Sequence, residues 1–404
     1  MKCRACNTPH KPFFSLGKMP LVNSFLKDEK DFIHEQRHDL TVAFCPTCYL
    51  VQLTETISPE TLFRDYIYFS STSTSFLEHN RRAVEYLTER FHLTRESLVV
   101  EIASNDGAFL QFFKERGIPV LGIDPARNIA DVANKKGIKT VPEFFNLVLA
   151  KKLLKGGVRA DIVYGANVLA HVPDIVDFVR GVKTILKAGG SAIFEFPYIG
   201  GLMENKFDTI YHEHVFYYSL LALRNLFSKA DLEVCDVEML PVQGGSLRIY
   251  VSHAGVYPVS ERVVSLALKE RNSGFEKFET HQLLTNNIQK LKRKLVTLLE
   301  SIRKDGGRIA AYGAPAKGNI LLNYFGIGSH IEFIVDKAKE KQGLYTPGTH
   351  LRVLSPNAIV EKRPDYILIL CWNIAEEVMN MQELALFRGG GGKYIIPIPN
   401  VTVL

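Results

Sequence analysis

Hydrophobic positions along the chain follow either the two-residue period of a strand or the 3.6-residue period of a helix. The way these two patterns are arranged divides the sequence into regions. Residues 1–60 carry short β-like runs with little helical periodicity, and residues 76–91 predict a helix. From residue 98 onward the pattern becomes strand, turn and helix, repeated several times. Strands that alternate with helices at this spacing indicate a parallel, doubly wound sheet.

The middle of the chain carries the clearest repeats. Apolar runs predict strands at 98–103, 120–124, 161–164 and 191–197, with helices at 109–116, 129–136 and 175–186. We expect the last of these helices to end at Gly189 and Gly190. Two later runs, 232–240 and 247–253, flank a turn-prone segment and predict an antiparallel hairpin that completes the sheet.

A second α/β pattern follows a long helix. Apolar spacing over 281–302 predicts an amphipathic connecting or packing helix. Strands at 308–312, 331–336 and 366–371 then accompany a helix at 317–324. The predicted fold class is therefore α/β: a small N-terminal module at 1–70, a central Rossmann-like sheet at 71–265, and a second Rossmann-like domain at 266–404.

Composition narrows the function classes. The 404 residues are 46% hydrophobic and 23% charged, and 49 basic against 43 acidic residues give a net charge of +6. This balance suits an anionic small molecule, but the chain lacks the basic blocks of a nucleic-acid binder. Without a signal-like N-terminus or a long apolar run, we expect a soluble, cytoplasmic protein without a membrane partner.

Four of the six cysteines form two CxxC pairs, Cys3 with Cys6 and Cys45 with Cys48. Each pair can direct two thiolates at one ion, and two pairs complete a tetrahedral zinc site. Chance pairing and a redox dithiol are the alternatives. Four protein ligands would close the site, so we expect one structural zinc ion. Cys235 and Cys371 lie alone in apolar runs, which is typical of small core residues.

The segment from Glu101 to Gly107 follows an apolar strand and precedes a helix, which is where a cofactor binds in such sheets. Asp124 ends the next strand, where a carboxylate can accept both hydroxyls of a ribose. A nicotinamide dinucleotide would favour GxGxxG at this turn. Here Gly107 is the lone glycine, and Asn105 with Asp106 would repel a diphosphate. S-adenosylmethionine, which has a cationic sulfonium and no phosphate, fits this loop better.

Titratable groups are concentrated at residues 208–219, after the strand that ends near Glu195. Removal of a proton beside a carbonyl requires a positioned base, and histidine is the usual choice. A neighbouring carboxylate can orient the imidazole, and a tyrosine can stabilise an enolate oxygen. His212 and His214 could also bind a metal, but two histidines two residues apart share a face only on a strand. Packed or surface histidines are the remaining alternative.

Several motifs then occur in one order over nearly the whole chain. After the CxxC pairs come YIYFSS (66–71), EIASNDG (101–107), NVLAHVP (167–173), YHEH (211–214), GGSLR (244–248) and GAPAKGN (313–319). In this order the chain resembles the three-domain, S-adenosylmethionine-dependent sugar C-methyltransferases. Those enzymes act on nucleotide-linked 4-keto-deoxysugars in antibiotic and surface-glycan pathways.

The resemblance implies a role for each matching residue. It implies that His214 removes the proton from C3 of the sugar, that Glu213 and Tyr211 support it, and that Tyr68 and His171 line the same pocket. The implied cofactor contacts are Glu101, Ala103, Asn105, Gly107, Asp124 and Asn167. The implied substrate contacts are Arg248, Tyr312, Lys317 and Asn319, with the backbone of residues 313–319 and Lys317 receiving the diphosphate. The resemblance also implies a monomer.

The chain departs from the family pattern at three positions. Ala103 stands where methyltransferases more often carry glycine, Gln243 where histidine is expected, and Ile320 where a hydroxyl residue is common. Tyr66 and Tyr68 are separated by one strand period, so either can occupy the family position. An O- or N-methyltransferase acting on a related sugar and a non-catalytic nucleotide-sugar-binding protein are the alternative functions.

Overall fold

The computed structural model describes residues 1–64, 69–72, 74–241 and 244–404. Across these residues the strands form three separate sheets. None of the helices within this part of the chain has the length and apolar character needed to cross a bilayer.

The N-terminal region begins with a β-hairpin, and a long helix at the start of the middle region follows it. The elements of this part are β1 (Lys11–Pro20), β2 (Arg37–Phe44), β3 (Val51–Leu53), α1 (Pro59–Phe63) and the long helix α2 (Thr74–Arg90).

The middle region alternates strands with helices, as the sequence predicts. Its elements are β4 (Val99–Ile102), α3 (Leu110–Glu115), β5 (Val120–Ile123), α4 (Arg127–Lys135), β6 (Thr140–Val141), α5 (Leu147–Lys155), β7 (Ala160–Ala166), α6 (Ile175–Ile185), β8 (Leu186–Pro197), α7 (Gly200–Met203), β9 (Phe216–Tyr217), α8 (Leu220–Ser228), β10 (Leu232–Leu240), β11 (Ser246–His253) and α9 (Glu261–Asn272).

The C-terminal region opens with the long connecting helix. Its elements are α10 (Phe278–Lys304), β12 (Ile309–Tyr312), α11 (Ala316–Phe325), β13 (Phe333–Val335), β14 (Val353–Leu354), α12 (Ala358–Lys362), β15 (Tyr366–Ile369), α13 (Ala375–Met379), α14 (Ala385–Gly389), β16 (Lys393–Ile396) and β17 (Thr402–Val403).

The N-terminal sheet is antiparallel and has the order β1-β2-β3-β9. Its fourth strand, β9, comes from the middle of the chain, where Phe216 and Tyr217 pair with Gln52 and Val51 of β3. The first sheet is therefore not built from residues 1–70 alone. Because β9 begins two residues after His214, this pairing holds the predicted catalytic segment against the N-terminal region.

The middle sheet has the order β10-β11-β8-β7-β4-β5-β6 and is parallel except at β10 and β11. The predicted hairpin is confirmed, with β11 inserted between β10 and β8. All four residues of β4 are buried, as expected for a strand that helices cover on both faces. The carboxyl ends of β4, β5, β7 and β8 therefore meet at one edge, where ligands bind in open α/β sheets.

The prediction that Gly189 and Gly190 end a helix is wrong. Helix α6 ends at Ile185, and both glycines lie within β8 (Leu186–Pro197). A Cβ atom on Gly190 would lie 2.9 Å from the carbonyl oxygens of Ala160 and Asp161. Gly190 therefore allows β8 to approach the neighbouring strand β7 closely, whereas a Cβ atom on Gly189 would meet nothing within 4 Å.

The C-terminal sheet has the order β14-β13-β12-β15-β16-β17, with β17 alone antiparallel to its neighbour among the described strands. Helix α9 extends across the predicted boundary at residue 265 and packs against α8 and β10 of the middle region. One apolar core joins the N-terminal sheet to the C-terminal domain and includes Phe14, Phe207, Leu295 and Phe325. The segment that contains the predicted base lies where the three regions meet.

Candidate active site

Buried carboxylates line the edge of the middle sheet. Glu101 lies on β4, Asp106 in the loop after it, Asp124 directly after β5, and Glu195 near the end of β8; each is at most 6% exposed. Oxygen Oε2 of Glu101 has no hydrogen-bond partner among the described residues. Such an edge favours a cationic ligand and disfavours a diphosphate, because like charges in a buried site repel each other.

The backbone of the loop after β4 is held by Asp124. Its Oδ2 accepts a hydrogen bond from the Asn105 amide at 2.9 Å, and its Oδ1 accepts one from the Ala126 amide at 2.9 Å. The loop passes through left-handed backbone conformations at Ala103 (φ 58°), Asn105 (φ 49°) and Gly107 (φ 80°). The preference for glycine at position 103 thus has a steric cause, since an alanine is strained in this conformation.

The pKa of Glu101 lies well above its usual range. Burial is the largest cause, and the negative charges of Asp124, Asp106 and Glu195 add to it. A positively charged ligand beside this carboxyl would relieve the burial cost and restore its ionised form. The sulfonium and ammonium groups of S-adenosylmethionine supply that charge, so the residues present fit this cofactor.

The sequence pattern assigns Glu195 only to a strand, but in the structure its side chain contacts three polar side chains of the site. It contacts His79 Nε2 at 2.9 Å, accepts from the Tyr164 hydroxyl at 2.6 Å, and accepts from Arg248 Nε at 2.8 Å. Burial alone would raise its pKa, but the His79 hydrogen bond and the Arg248 charge outweigh burial and lower the pKa to about 2. Arg248, predicted to bind substrate, is 5% exposed and lies in this ion pair on β11.

Asn167 also belongs to this edge. It follows β7 in a left-handed conformation (φ 54°), and its amide donates to the Glu195 carbonyl oxygen at 2.7 Å. The structure therefore brings the predicted cofactor residues together around the carboxyl ends of neighbouring strands. Their contacts with the cofactor itself stay predictions.

The hydrogen bonds of His214 determine which ring nitrogen carries its proton. Nδ1 lies 2.8 Å from the carbonyl oxygen of Thr209, which can only accept, so Nδ1 is the donor. Nε2 lies 2.8 Å from the Tyr211 hydroxyl and is left as the unprotonated, accepting nitrogen. The imidazole is thus held neutral with its basic lone pair toward Tyr211, which is the arrangement a general base requires.

The surroundings of His214 keep it neutral. Burial lowers its pKa well below the usual range, the neighbouring His171 lowers it further, and the Thr209 carbonyl opposes both effects. The His171 ring stands edge-on at 4.9 Å between centroids, and burial lowers the pKa of His171 to about 4. His171 Nε2 is buried without a hydrogen-bond partner in the described part of the chain. Two neutral imidazoles therefore lie edge to face, and one of them, His214, contacts the Tyr211 hydroxyl.

Other predicted residues lie farther from this pair of histidines. Glu213 accepts from Asn23 Nδ2 of the N-terminal region at 2.6 Å, so the backbone carbonyl of Thr209, not this carboxylate, orients His214. Tyr312 contacts Glu383 and Met381 within the C-terminal domain. Asn319 is fully buried and donates to the Val22 carbonyl at 2.8 Å, which ties α11 to the N-terminal region.

Tyr68 lies outside the described residues, as do Tyr66 and Gln243. The sequence reasoning also missed residues at the site, notably Glu195, Thr209 and Asp208. A charged residue inside the apolar run 192–197 was a signal for Glu195, since an acid there must be buried and paired. Thr209 acts through its backbone carbonyl, for which side-chain patterns offer no signal.

The four predicted zinc ligands are brought together by the β1–β2 hairpin. Their Sγ atoms all lie within 4.8 Å of one another, with Cys3 to Cys48 at 3.5 Å and Cys6 to Cys45 at 3.4 Å. Four zinc–sulfur bonds of about 2.3 Å in a tetrahedron place the sulfur atoms about 3.8 Å from one another. The donor set and its spacing therefore fit one zinc ion, with each CxxC contributing one sulfur to each close pair.

Comparisons with known proteins match three successive parts of the chain. Residues 3–63 match the model of a zinc binding domain, residues 76–237 that of a methyltransferase domain, and residues 241–399 that of a C-methyltransferase C-terminal domain. The chain is 36% identical over 409 residues to the C-methyltransferase NovU of Streptomyces niveus. This alignment covers 100% of the present chain and 96% of NovU.

Similar solved structures include an S-adenosylmethionine-dependent methyltransferase from Clostridium acetobutylicum ATCC 824, with 11% identity and a TM-score of 0.37 over 44% of this chain and 92% of that chain. Another is the magnesium protoporphyrin IX methyltransferase ChlM of Synechocystis PCC 6803 with bound SAM, with 13% identity and a TM-score of 0.35 over 47% of this chain and 86% of that chain. The full-length match to NovU and the three domain matches are the decisive findings. The chain belongs to the three-domain family of S-adenosylmethionine-dependent C-methyltransferases.

Proposed function

We propose that this enzyme transfers a methyl group to C3 of a nucleotide-linked 4-keto-6-deoxysugar and that His214 removes the C3 proton. The observation that carries the proposal is the hydrogen-bonded state of His214. Its Nδ1–H is bound to the Thr209 carbonyl and its Nε2 lone pair faces Tyr211. A neutral, oriented imidazole in a buried site is suited to a proton made acidic by an adjacent ketone.

The acidic edge of the middle sheet supports the choice of methyl donor. Glu101 keeps a buried oxygen without a partner in the described chain, and Asp124 holds the loop while retaining lone pairs for ribose hydroxyls. S-adenosylmethionine, when bound here, supplies an electrophilic methyl group on a sulfonium. The chain's own part is to orient this donor, to match its positive charge and to exclude water from it.

In this proposal, Nε2 of His214 takes the C3 proton after the substrate displaces the Tyr211 hydroxyl from it. Tyr211 then remains within reach of the reacting carbons as a hydrogen-bond donor, and His171, 4.9 Å away between ring centroids, closes the other side. Tyr68 is proposed for the same pocket from the family motif. A pocket of buried, neutral rings strengthens each hydrogen bond to a developing negative charge.

The C-terminal domain is proposed to bind the nucleotide. Residues 313–319 form a strand-to-helix turn, from β12 into α11, and the first amides of a helix favour a phosphate. Tyr312 and Asn319 border this turn, and the net charge of +6 suits an anionic substrate. The zinc ion is proposed to be structural, since four thiolates leave no open coordination position. Cytoplasmic location and a monomeric state are further expectations.

The test is to supply ¹³C-methyl S-adenosylmethionine with a panel of 4-keto-6-deoxysugars linked to different nucleoside diphosphates, and to locate the new methyl group by NMR. The proposal predicts a methyl carbon bonded to C3. A methyl group on oxygen or nitrogen would redirect the function to O- or N-methylation. Cofactor binding without transfer to any keto-sugar would refute the enzymatic proposal and favour a binding protein.

A further inference from the structure

Lys317 occupies a position that is unfavourable for a lysine. It lies in the first turn of α11, where the partial positive charge of the helix N-terminus disfavours a cation. Its side chain is also half-buried, and burial lowers the pKa of the ammonium group although the charge of Asp208 opposes this. A residue that weakens the fold in two ways is more readily explained by function than by stability.

Asp208 and Trp372 form a contact beside Lys317 that joins the middle region to the C-terminal domain. The Trp372 indole Nε1 donates to Asp208 Oδ2 at 2.6 Å, and the Lys317 ammonium lies 5.3 Å from the centre of the Trp372 ring. Asp208 is fully buried, and its Oδ1 has no hydrogen-bond partner within the described ranges. The Lys317 ammonium therefore lies over an indole that joins the two regions, and the acid bound to that indole keeps one oxygen without a partner among the described residues.

The same cluster adjoins the base. Asp208 directly precedes Thr209, whose carbonyl accepts the Nδ1–H of His214 at 2.8 Å. The positive charge of Lys317 also contributes to the lowered pKa of His214, after burial and His171. An ammonium group whose field reaches the imidazole also acts on any negative charge that forms on a substrate atom beside the imidazole.

We propose, resting on the proposed function, that Lys317 binds the C4 oxygen of the keto-sugar and stabilises the negative charge that develops there. As Nε2 of His214 takes the C3 proton, the C–H electron pair forms the C3–C4 double bond. The carbonyl π pair moves onto the C4 oxygen, beside Lys317, which stays protonated. When C3 attacks the methyl carbon, the carbonyl re-forms, and the methyl–sulfur bond breaks with its electrons on sulfur.

This role differs from the diphosphate contact that the family resemblance implies for Lys317. A ligand of the diphosphate strengthens the binding of a nucleoside diphosphate even when no sugar is attached. A ligand of the C4 oxygen acts chiefly on charge that is present only during the reaction, so it raises kcat. The two roles therefore predict different effects of removing the ammonium group.

The experiment compares the full-length wild-type enzyme with Lys317→Met, using a keto-sugar that the wild type methylates. We expect kcat to fall by about 10²–10³-fold, as for loss of one oxyanion donor. The Kd of the corresponding nucleoside diphosphate, measured by calorimetry, should change by less than about twofold, since no diphosphate contact is lost. Lys317→Arg, which keeps the charge, should recover part of kcat.

Lys292→Met is the matched control. Lys292 is also a half-buried lysine with an aromatic neighbour, the Tyr324 ring at 5.2 Å, but it donates to the Tyr324 carbonyl on α11. Its kcat and nucleoside diphosphate affinity should match the wild type. An unchanged kcat in Lys317→Met, or a loss of diphosphate affinity equal to the loss of kcat, would overturn the inference. Absence of methyl transfer by the wild type would instead contradict the proposed function.

Discussion

Glu213 links the catalytic segment to the N-terminal region through a carboxyl group whose protonation changes near neutral pH. It is 6% exposed, and Oε1 accepts from Asn23 Nδ2 at 2.6 Å. Burial raises its pKa from 4.5 to about 7, and the Asn23 hydrogen bond only partly opposes the shift. The perturbation we consider is Glu213→Gln, which keeps the shape and the Asn23 contact but cannot ionise.

The sign and size of the effect follow from the raised pKa. A carboxyl whose pKa is higher in the folded state contributes stability that is fully present below pH 4.5 and is lost as pH rises through about 7. The shift from 4.5 to about 7 corresponds to about 3 kcal/mol. The wild type should therefore lose about 3 kcal/mol relative to Glu213→Gln between about pH 4.5 and about pH 9.

The assay is urea denaturation of both proteins across this pH range, followed by circular dichroism and by the fluorescence of Trp372, the sole tryptophan of the sequence. Subtracting the two curves removes the contribution of every other titrating group. Glu89→Gln, which alters an exposed glutamate, controls for the loss of one negative charge. If the free energies of unfolding of wild type and Glu213→Gln stayed parallel with pH, the burial argument for Glu213 would be wrong.

Three further predictions concern the metal, an ion pair and the cofactor loop. One equivalent of zinc should be found by metal analysis, and Cys45→Ser should lose it together with a marked fall in melting temperature; a stable, metal-free wild type would contradict this. Arg248→Met should lower the free energy of unfolding by about 3–5 kcal/mol in urea titrations, because it leaves Glu195 buried without its main cation, whereas a purely substrate-binding role predicts little change. Ala103→Gly should raise the free energy of unfolding by up to about 1 kcal/mol, since it removes strain at φ 58°, and equal or lower stability would exclude that strain.

The sequence predicted the elements that depend on local periodicity. The alternating strands and helices of the middle region, the β10–β11 hairpin and the second α/β domain all follow from apolar spacing. Prediction from the sequence failed where a local pattern fits two structures or where no local pattern exists. Gly190 marks a close strand contact and not a helix end, and the pairing of β9 with β3 joins residues far apart in sequence.

The candidate site divides in the same way. His214, Tyr211 and His171 could be named from the chemistry of one short segment and the family motifs, and the fold places their rings together. The tautomer of His214 depends on a backbone carbonyl, and the position of Lys317 beside Asp208 and Trp372 depends on how two domains pack. Neither is encoded in residue spacing.

The most direct test of the central claim measures proton removal without methyl transfer. The enzyme, with S-adenosylhomocysteine in place of the methyl donor, is incubated with its keto-sugar nucleotide in deuterated water, and NMR follows deuterium entering C3. His212→Gln is the matched control, because His212 lies two residues away and its Nε2 contacts the His38 carbonyl. We predict exchange in the wild type and the control, and at least about 10²-fold slower exchange in His214→Gln. Exchange at the wild-type rate in His214→Gln would contradict the assignment of His214 as the base.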